Sequence, residues 1–368
     1  MCDKNAKIAL RTIDPLTKSS SNSDTPVGVI GAGSFGTAIA NLLAYNVNVL
    51  LYSRNKDLVE KINNEHENLG RPLSPNVRAT NDLEEVARRC TLIFPIVPST
   101  NFRSMMKDLS PYLRPYHLLI HGTKGLDLDG LEESAENLSQ LNITRAEIHT
   151  MSEVILQESV VVRVGCLSGP NLSSEIMAGQ PTATVIASRF SEVIKAGRQV
   201  LDSKKFHVFG SHEILGAEMA GALKNAIAIG SGMLGGLGLG KNIQAMLITR
   251  GLVEMVYFGK VMGANSSAFI GTAGIGDLVA TATSTQSRNY TFGMRLAQGE
   301  TLEQIQDTMP ELAEGVRTIK IMQQLSKQHK MHVPITNMLY SVIFEGFDIE
   351  RAINYLMNYP YAVDVDFL

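Results

Sequence analysis

Two lysines in this chain occupy positions where an amine could do acid–base chemistry. Lys224 lies in the middle of 214–232, a stretch apolar nearly all round, which reads as a largely buried helix. At about 100° per residue, Ala217, Ala220, Gly221, Ala228 and Ser231 share its side, a stripe of small side chains that leaves room for a ligand beside the amine. Burial lowers a lysine's pKa, which suits it to acid–base work near neutrality. The plainer reading is a lysine whose stem snorkels its charge to water. Lys124 sits in LLIHGTKG at 118–125, just past a strand's C-terminal end, where open α/β sheets bind ligands; otherwise it is an ordinary charged loop residue. Asp277, after the run GTAGIG, could orient a lysine amine or simply cap its own helix. Ser287-Arg288-Asn289 precedes a helix expected from 290, with Ser287 as cap and Arg288 beside the helix N-terminus as a phosphate site.

A second set of residues binds rather than reacts. Gly31-Ala32-Gly33-Ser34-Phe35-Gly36 follows an apolar strand and opens a helix that feeds a second strand. The first glycine makes the tight turn, the second admits a pyrophosphate to the backbone, and the third packs helix on strand. The anion then sits on the helix N-terminus. Alone, GxGxxG is a weak signal; in a strand–turn–helix–strand context it points to a dinucleotide. The second strand ends in Tyr52-Ser53-Arg54 rather than the Asp or Glu of an NAD-only site. A hydroxyl and a guanidinium suit a 2′-phosphate, favouring NADP or use of both cofactors, unless Arg54 stacks on adenine or stays in solvent.

The elements that must position these residues follow from patterning. Strands are expected at 27–30, 47–52, 92–97, 118–121, 161–167, 184–187 and 206–209, alternating with amphipathic helices, which implies βαβ units and a parallel sheet. Beyond 210 helical patterns dominate, at 214–232, 242–262, 290–298, 302–308, 316–328 and 335–344. The expected fold class is therefore an α/β Rossmann domain, doubly wound and mostly parallel, over 26–210. An all-α substrate and catalytic domain over 211–368 follows it. Residues 1–25, rich in serine and polar, read as a disordered tail without the apolar core of a signal peptide.

Composition narrows the partners. A net charge of −3 offers no footprint for nucleic acid. No run of roughly 18 apolar residues could span a bilayer. Cys2, Cys90 and Cys166 are scattered and odd in number, which suggests neither disulfides nor a metal site and fits a reducing, cytoplasmic setting.

In order along the chain, GAGSFGTA at 31–38, PIVPS at 95–99, HGTKGL at 121–126, SGPN at 168–171, GQPTA at 179–183, ALKNAIAIGSG at 222–232, GIGDL at 274–278, SRN at 287–289 and AEGVRT at 313–318 resemble the NAD(P)-dependent glycerol-3-phosphate dehydrogenases, bacterial type. The resemblance covers about 26–345 and implies reversible reduction of dihydroxyacetone phosphate to sn-glycerol 3-phosphate, the backbone precursor of glycerophospholipids, by NADPH or NADH without a metal. It implies Lys224 as acid/base on the C2 oxygen, Lys124 touching substrate and cofactor, and Asp277 holding Lys224 and the substrate hydroxyls. Ser287, Arg288 and Asn289 would take the phosphate, and Gly169 and Ser173 would line the substrate site. Gly31, Gly33, Ser34, Phe35, Gly36, Arg54, Arg288 and Glu314 fall on the cofactor side, and a homodimer is the family expectation.

Two departures stand out: a tail longer than bacterial members have, and Ser53-Arg54, which leaves cofactor preference open. A related β-hydroxyacid or 6-phosphogluconate-type dehydrogenase would need a site for a substrate carboxylate. A dinucleotide sensor without turnover could dispense with the lysines and the phosphate site, all of which this chain has.

Overall fold

The structure, a computed structural model, describes residues 25–128, 144–309 and 313–360. All but the last residue of the expected tail lies outside these. In chain order the strands are β1 (Val27–Ile30), β2 (Val49–Tyr52), a short ribbon β3 (Glu67–Asn68) and β4 (Arg71–Pro72), β5 (Val77–Thr80), β6 (Leu92–Pro95), β7 (Leu118–His121), a second ribbon β8 (Asp127–Leu128) and β9 (Ile148–His149), β10 (Val164–Ser168), β11 (Thr182–Ser188) and β12 (Phe206–Ser211). Eight of them form one sheet, ordered β12-β11-β10-β7-β6-β1-β2-β5. The chain winds outward from β1 in one direction through β2 and β5, and in the other through β6, β7 and β10. The switch point thus falls between β1 and β6, where such sheets bind ligands at their C-terminal edge.

Strand faces alternate because the side-chain period is two. Val29, Leu51, Phe94 and Ile120 enter one apolar layer, and Ile30, Leu50, Ile93 and Leu119 the other. Helices α1 (Ser34–Leu43), α2 (Lys56–Glu65), α3 (Leu83–Arg89), α4 (Ser99–Leu109), α5 (Met151–Glu158), α6 (Ser173–Met177) and α7 (Ser191–Leu201) accompany this half. The sheet is mostly parallel, as expected; the exception is β11, which runs antiparallel to β10. Strand β5 was not anticipated, because its sequence VRAT is short and carries the exposed Arg78 at the sheet edge.

After Ser211 the described residues are helical: α8 (Ile214–Gly236), α9 (Lys241–Val261), α10 (Ser267–Ile270), α11 (Asp277–Ala282), α12 (Arg288–Ala297), α13 (Leu302–Thr308), α14 (Glu314–Gln328), α15 (Pro334–Phe344) and α16 (Ile349–Met357). Helix α8 is the axis, packed by α9, α11, α12 and α14. Its crossing with α12 is close at a pair of glycines. A methyl on Gly232 would fall 2.0 Å from the Tyr290 carbonyl oxygen, and one on Gly293 1.9 Å from that of Ile229. This approach brings the start of α12 beside the middle of α8. The short helices α10 and α11, flanking a wide turn at Thr272–Gly276, and α16 were not expected from the sequence.

Candidate active site

The glycine turn has the form its spacing demands. Gly31 adopts φ +113, and a Cβ there would lie 2.1 Å from the Ile96 carbonyl oxygen; one on Gly36 would lie 1.9 Å from the Gly31 oxygen. No bulkier residue fits either place. Gly33 is the N-cap of α1, which has no side-chain cap and no acid in its first turn. The backbone N–H groups of Ser34, Phe35 and Gly36 therefore point out of a helix N-terminus whose first turn carries no acid, a cradle that fits a pyrophosphate. Phe35 leans over Gly122, whose added Cβ would meet the ring at 2.9 Å.

Across from this turn, Lys124 and Lys224 converge on one carboxylate. Asp277, 1% exposed, accepts from Lys224 Nζ through Oδ1 at 2.9 Å and from Lys124 Nζ through Oδ2 at 2.6 Å. Lys124 also donates to the Gly169 carbonyl at 2.9 Å, and Lys224 to Thr281 Oγ1 at 2.5 Å. Thr281, four residues after Asp277, donates in turn to the Asp277 carbonyl at 2.7 Å. Each ammonium has three donors, of which these contacts use two.

Lys224 is 4% exposed, so it does not snorkel. Burial pushes its amine down to about 8; Asp277 acts in the opposite sense, and the positive charges of Lys124 and Arg288 lower it further. Asp277 is not a helix cap: it is the first residue of α11, after Gly276, and its side chain caps nothing. The small-residue stripe also differs from expectation. Gly221 lies against the stem of Lys124 and Ser168 Oγ, and Ser231 donates to the Ala282 carbonyl, so neighbouring elements fill that space.

The other expected residues divide into three groups. Ser287 is the N-cap of α12, accepting from Tyr290 N, while exposed Arg288 is the helix's first residue, two earlier than expected. Asn289 is buried; it donates to Asn225 Oδ1 at 3.0 Å and accepts from Gly315 N at 2.9 Å. Glu314 reaches from α14 to the first domain, accepting from Ser99 N at 3.0 Å and Ser99 Oγ at 2.6 Å. Gly169, at φ +150, holds Lys124 through its carbonyl, and half-buried Ser173 begins α6. Arg54 is exposed past the end of β2, one residue after the buried Ser53.

Three participants were missed from sequence. Asn225 joins the Lys124 carbonyl, at 3.4 Å, to Asn289. Thr281 fixes Lys224, and Ser99 occupies the Glu314 carboxylate. A polar side chain inside an apolar helix, as at Asn225, and the four-residue spacing from Asp277 to Thr281 were the available signals.

A doubly wound sheet with a pyrophosphate cradle, faced by one buried and one half-buried lysine on a shared carboxylate, defines a nicotinamide-dinucleotide oxidoreductase. The N-terminal model of NAD-dependent glycerol-3-phosphate dehydrogenase matches residues 26–194, and the C-terminal model matches 213–354. The glycerol-3-phosphate dehydrogenase [NAD(P)+] of Saccharophagus degradans is 38% identical over 345 residues, 92% of each chain. That of Teredinibacter turnerae is 38% identical over 92% of this chain and 96% of its own. The solved glycerol-3-phosphate dehydrogenase of Coxiella burnetii superposes with a TM-score of 0.80 at 31% identity, covering 91% of this chain and 99% of that one. The chain belongs to the NAD-dependent glycerol-3-phosphate dehydrogenase family and uses NAD(P)H. Among the described residues no cluster of His, Cys, Asp or Glu could hold a metal, and no helix is long and apolar enough to cross a membrane.

Proposed function

We propose that this chain catalyses reversible hydride transfer between NAD(P)H and dihydroxyacetone phosphate, giving sn-glycerol 3-phosphate for glycerophospholipid synthesis. The observation that carries the reading is the pair of lysines, one from each half, held on the Asp277 carboxylate. The dinucleotide supplies the hydride. Residues 26–210 hold it, with the N–H groups of Gly33, Ser34, Phe35 and Gly36 on the pyrophosphate and Arg54 on the adenosine ribose. Glu314 and Arg288 complete that side from 211–368, the substrate domain.

As hydride reaches the ketone carbon, negative charge develops on its oxygen. Lys224 donates a proton there and stabilises the charge; in the reverse direction the neutral amine takes the proton back. A lysine at about 8 can exchange protons near neutral pH in both directions. Lys124 bridges substrate and cofactor, Asp277 keeps both amines aimed, and Ser287, Arg288 and Asn289 receive the phosphate beside the α12 N-terminus. Gly169 and Ser173 line the substrate side. The enzyme works as a cytoplasmic homodimer, a state that light scattering on the purified protein tests directly.

The deciding assay follows the nicotinamide absorbance with dihydroxyacetone phosphate and NADH or NADPH in parallel. Oxidation of either cofactor supports the reading, and the ratio of the two rates gives the preference. Tight cofactor binding without oxidation would move the weight to another substrate.

A further inference from the structure

Outside the lysine cluster, the seam between the two halves holds a second buried polar group with no part in the mechanism. His121, the last residue of β7, is 1% exposed, and Glu218, on the first turns of α8, is 7% exposed. His121 Nε2 lies 2.9 Å from Glu218 Oε1. The same oxygen accepts from Ser152 N at 2.8 Å, and Oε2 accepts from Ser152 Oγ at 2.6 Å. A carboxylate oxygen can only accept, so Nε2 carries the proton. The ring's other nitrogen is buried with no partner among the described residues, and its remaining support is the edge of Phe102 at 5.8 Å between centroids. Glu218 is thus the ring's one polar anchor among the described residues.

We propose that His121 and Glu218 form a registration pin that sets Lys124 against Lys224, a positioning role that rests on the functional reading above. Lys124 follows His121 by three residues on the same strand-to-loop segment. Lys224 follows Glu218 by six residues on α8, a rise of about 9 Å. The segment carrying one lysine and the helix carrying the other are therefore joined at both ends: at His121–Glu218 below, and above through Asp277 and the 3.4 Å bond from Asn225 to the Lys124 carbonyl. Anchors at both ends set spacing and rotation, whereas an anchor at one end leaves a pivot.

Between them the surfaces are nearly featureless. Gly221 meets the Lys124 stem, and Ser168 Oγ donates to the Ala217 carbonyl at 3.2 Å. Small residues of this kind allow sliding. A buried charge adds little net stability over a well-packed apolar pair, and its best-attested use is to fix register. Ser152, at the start of α5, completes the pin by giving Glu218 two of its three hydrogen bonds, so the carboxylate stays in place when His121 is altered.

The test replaces His121 with leucine, which keeps bulk and loses the bond, and with glutamine, whose amide can donate to Glu218. His121→Leu is expected to lower kcat about 30- to 100-fold, the scale of a 1 Å misplacement. NADPH affinity by fluorescence should stay within about twofold, because the cradle lies on β1 and α1. His121→Gln should recover kcat to within about fivefold of the parent, at a melting temperature similar to that of His121→Leu. Turnover of His121→Leu within about threefold of the parent overturns the pin; so does a loss that glutamine fails to rescue or that follows melting temperature. A parent inactive on dihydroxyacetone phosphate would sink the functional reading and the pin with it. An active parent with an indifferent His121→Leu sinks the pin alone.

Discussion

Asp277 and Glu254 are both buried carboxylates in the helical half, 1% and 3% exposed, and they have opposite surroundings. Glu254, on α9, accepts from Ile335 N, Thr336 N and Thr336 Oγ1 at 2.7 to 2.9 Å, closing off the start of α15. Burial raises its carboxyl to about 7, against the pull of those donors and of Arg250. Asp277 instead meets two ammonium groups, each with a donor to spare. The lesson is that burial of a carboxylate does not mark a site. What separates the two is whether the partners retain unused donors, as lysines do and helix-end amides do not.

The sharpest break of this contrast is Lys224→Ala. Turnover should fall by at least about 10³-fold, within the range for a lost general acid and its charge. NADPH binding by fluorescence should be nearly unchanged, and wild-type-like turnover would remove Lys224 from the mechanism. Asp277→Asn should come next, lowering kcat about 10²-fold because both amines lose their common anchor. It also removes the influence that raises the Lys224 pKa, so the alkaline limb of the reduction profile should move to lower pH.

Glu254→Leu should do the reverse of these. Two buried N–H groups lose their acceptor, at about 1–3 kcal/mol each, so denaturant melts should show a loss of about 2–6 kcal/mol. The kcat of the folded fraction should be unaltered; a matching fall in kcat would erase the distinction between the two carboxylates.

Arg54→Asp should weaken NADPH about tenfold and leave NADH nearly alone. An unchanged ratio would place Arg54 outside the ribose site. The gentlest test is pH. An acid must be protonated to donate, so the kcat of ketone reduction should fall as pH rises through about 8. Alcohol oxidation, which needs the neutral amine, should rise through the same range. Parallel profiles in the two directions would contradict the role given to Lys224.

How far the sequence alone reached depends on the kind of signal each residue carries. Gly31, Gly33 and Gly36 were legible because their spacing encodes one local backbone path. Lys224 was legible because a charge in an apolar helix is conspicuous, and Asp277 because its glycine-rich approach resembles a family motif. Strand β5 was illegible, since VRAT at a sheet edge has neither length nor an apolar run. The reversal of β11 was hidden too, for period-two patterning is the same in both directions. Ser99 is visible only through a partner distant in sequence, Glu314, and Asn225, conspicuous as a polar residue in an apolar helix, shows its role only through Asn289. The stripe beside Lys224 was recognised as small, but what fills it, the Lys124 stem and Ser168, comes from another domain.

One arithmetic fact about the lysine cluster reaches further. The helical half brings Lys224 and Asp277, which cancel, and the sheet half brings Lys124 alone. The surplus positive charge of the three is therefore that of Lys124, and meeting the helical half is what draws it partly out of water, to a side chain 19% exposed on a carboxylate 2.6 Å away. Its partial shelter is a property of the assembled seam: the sheet half expressed by itself would carry the charge without its partner.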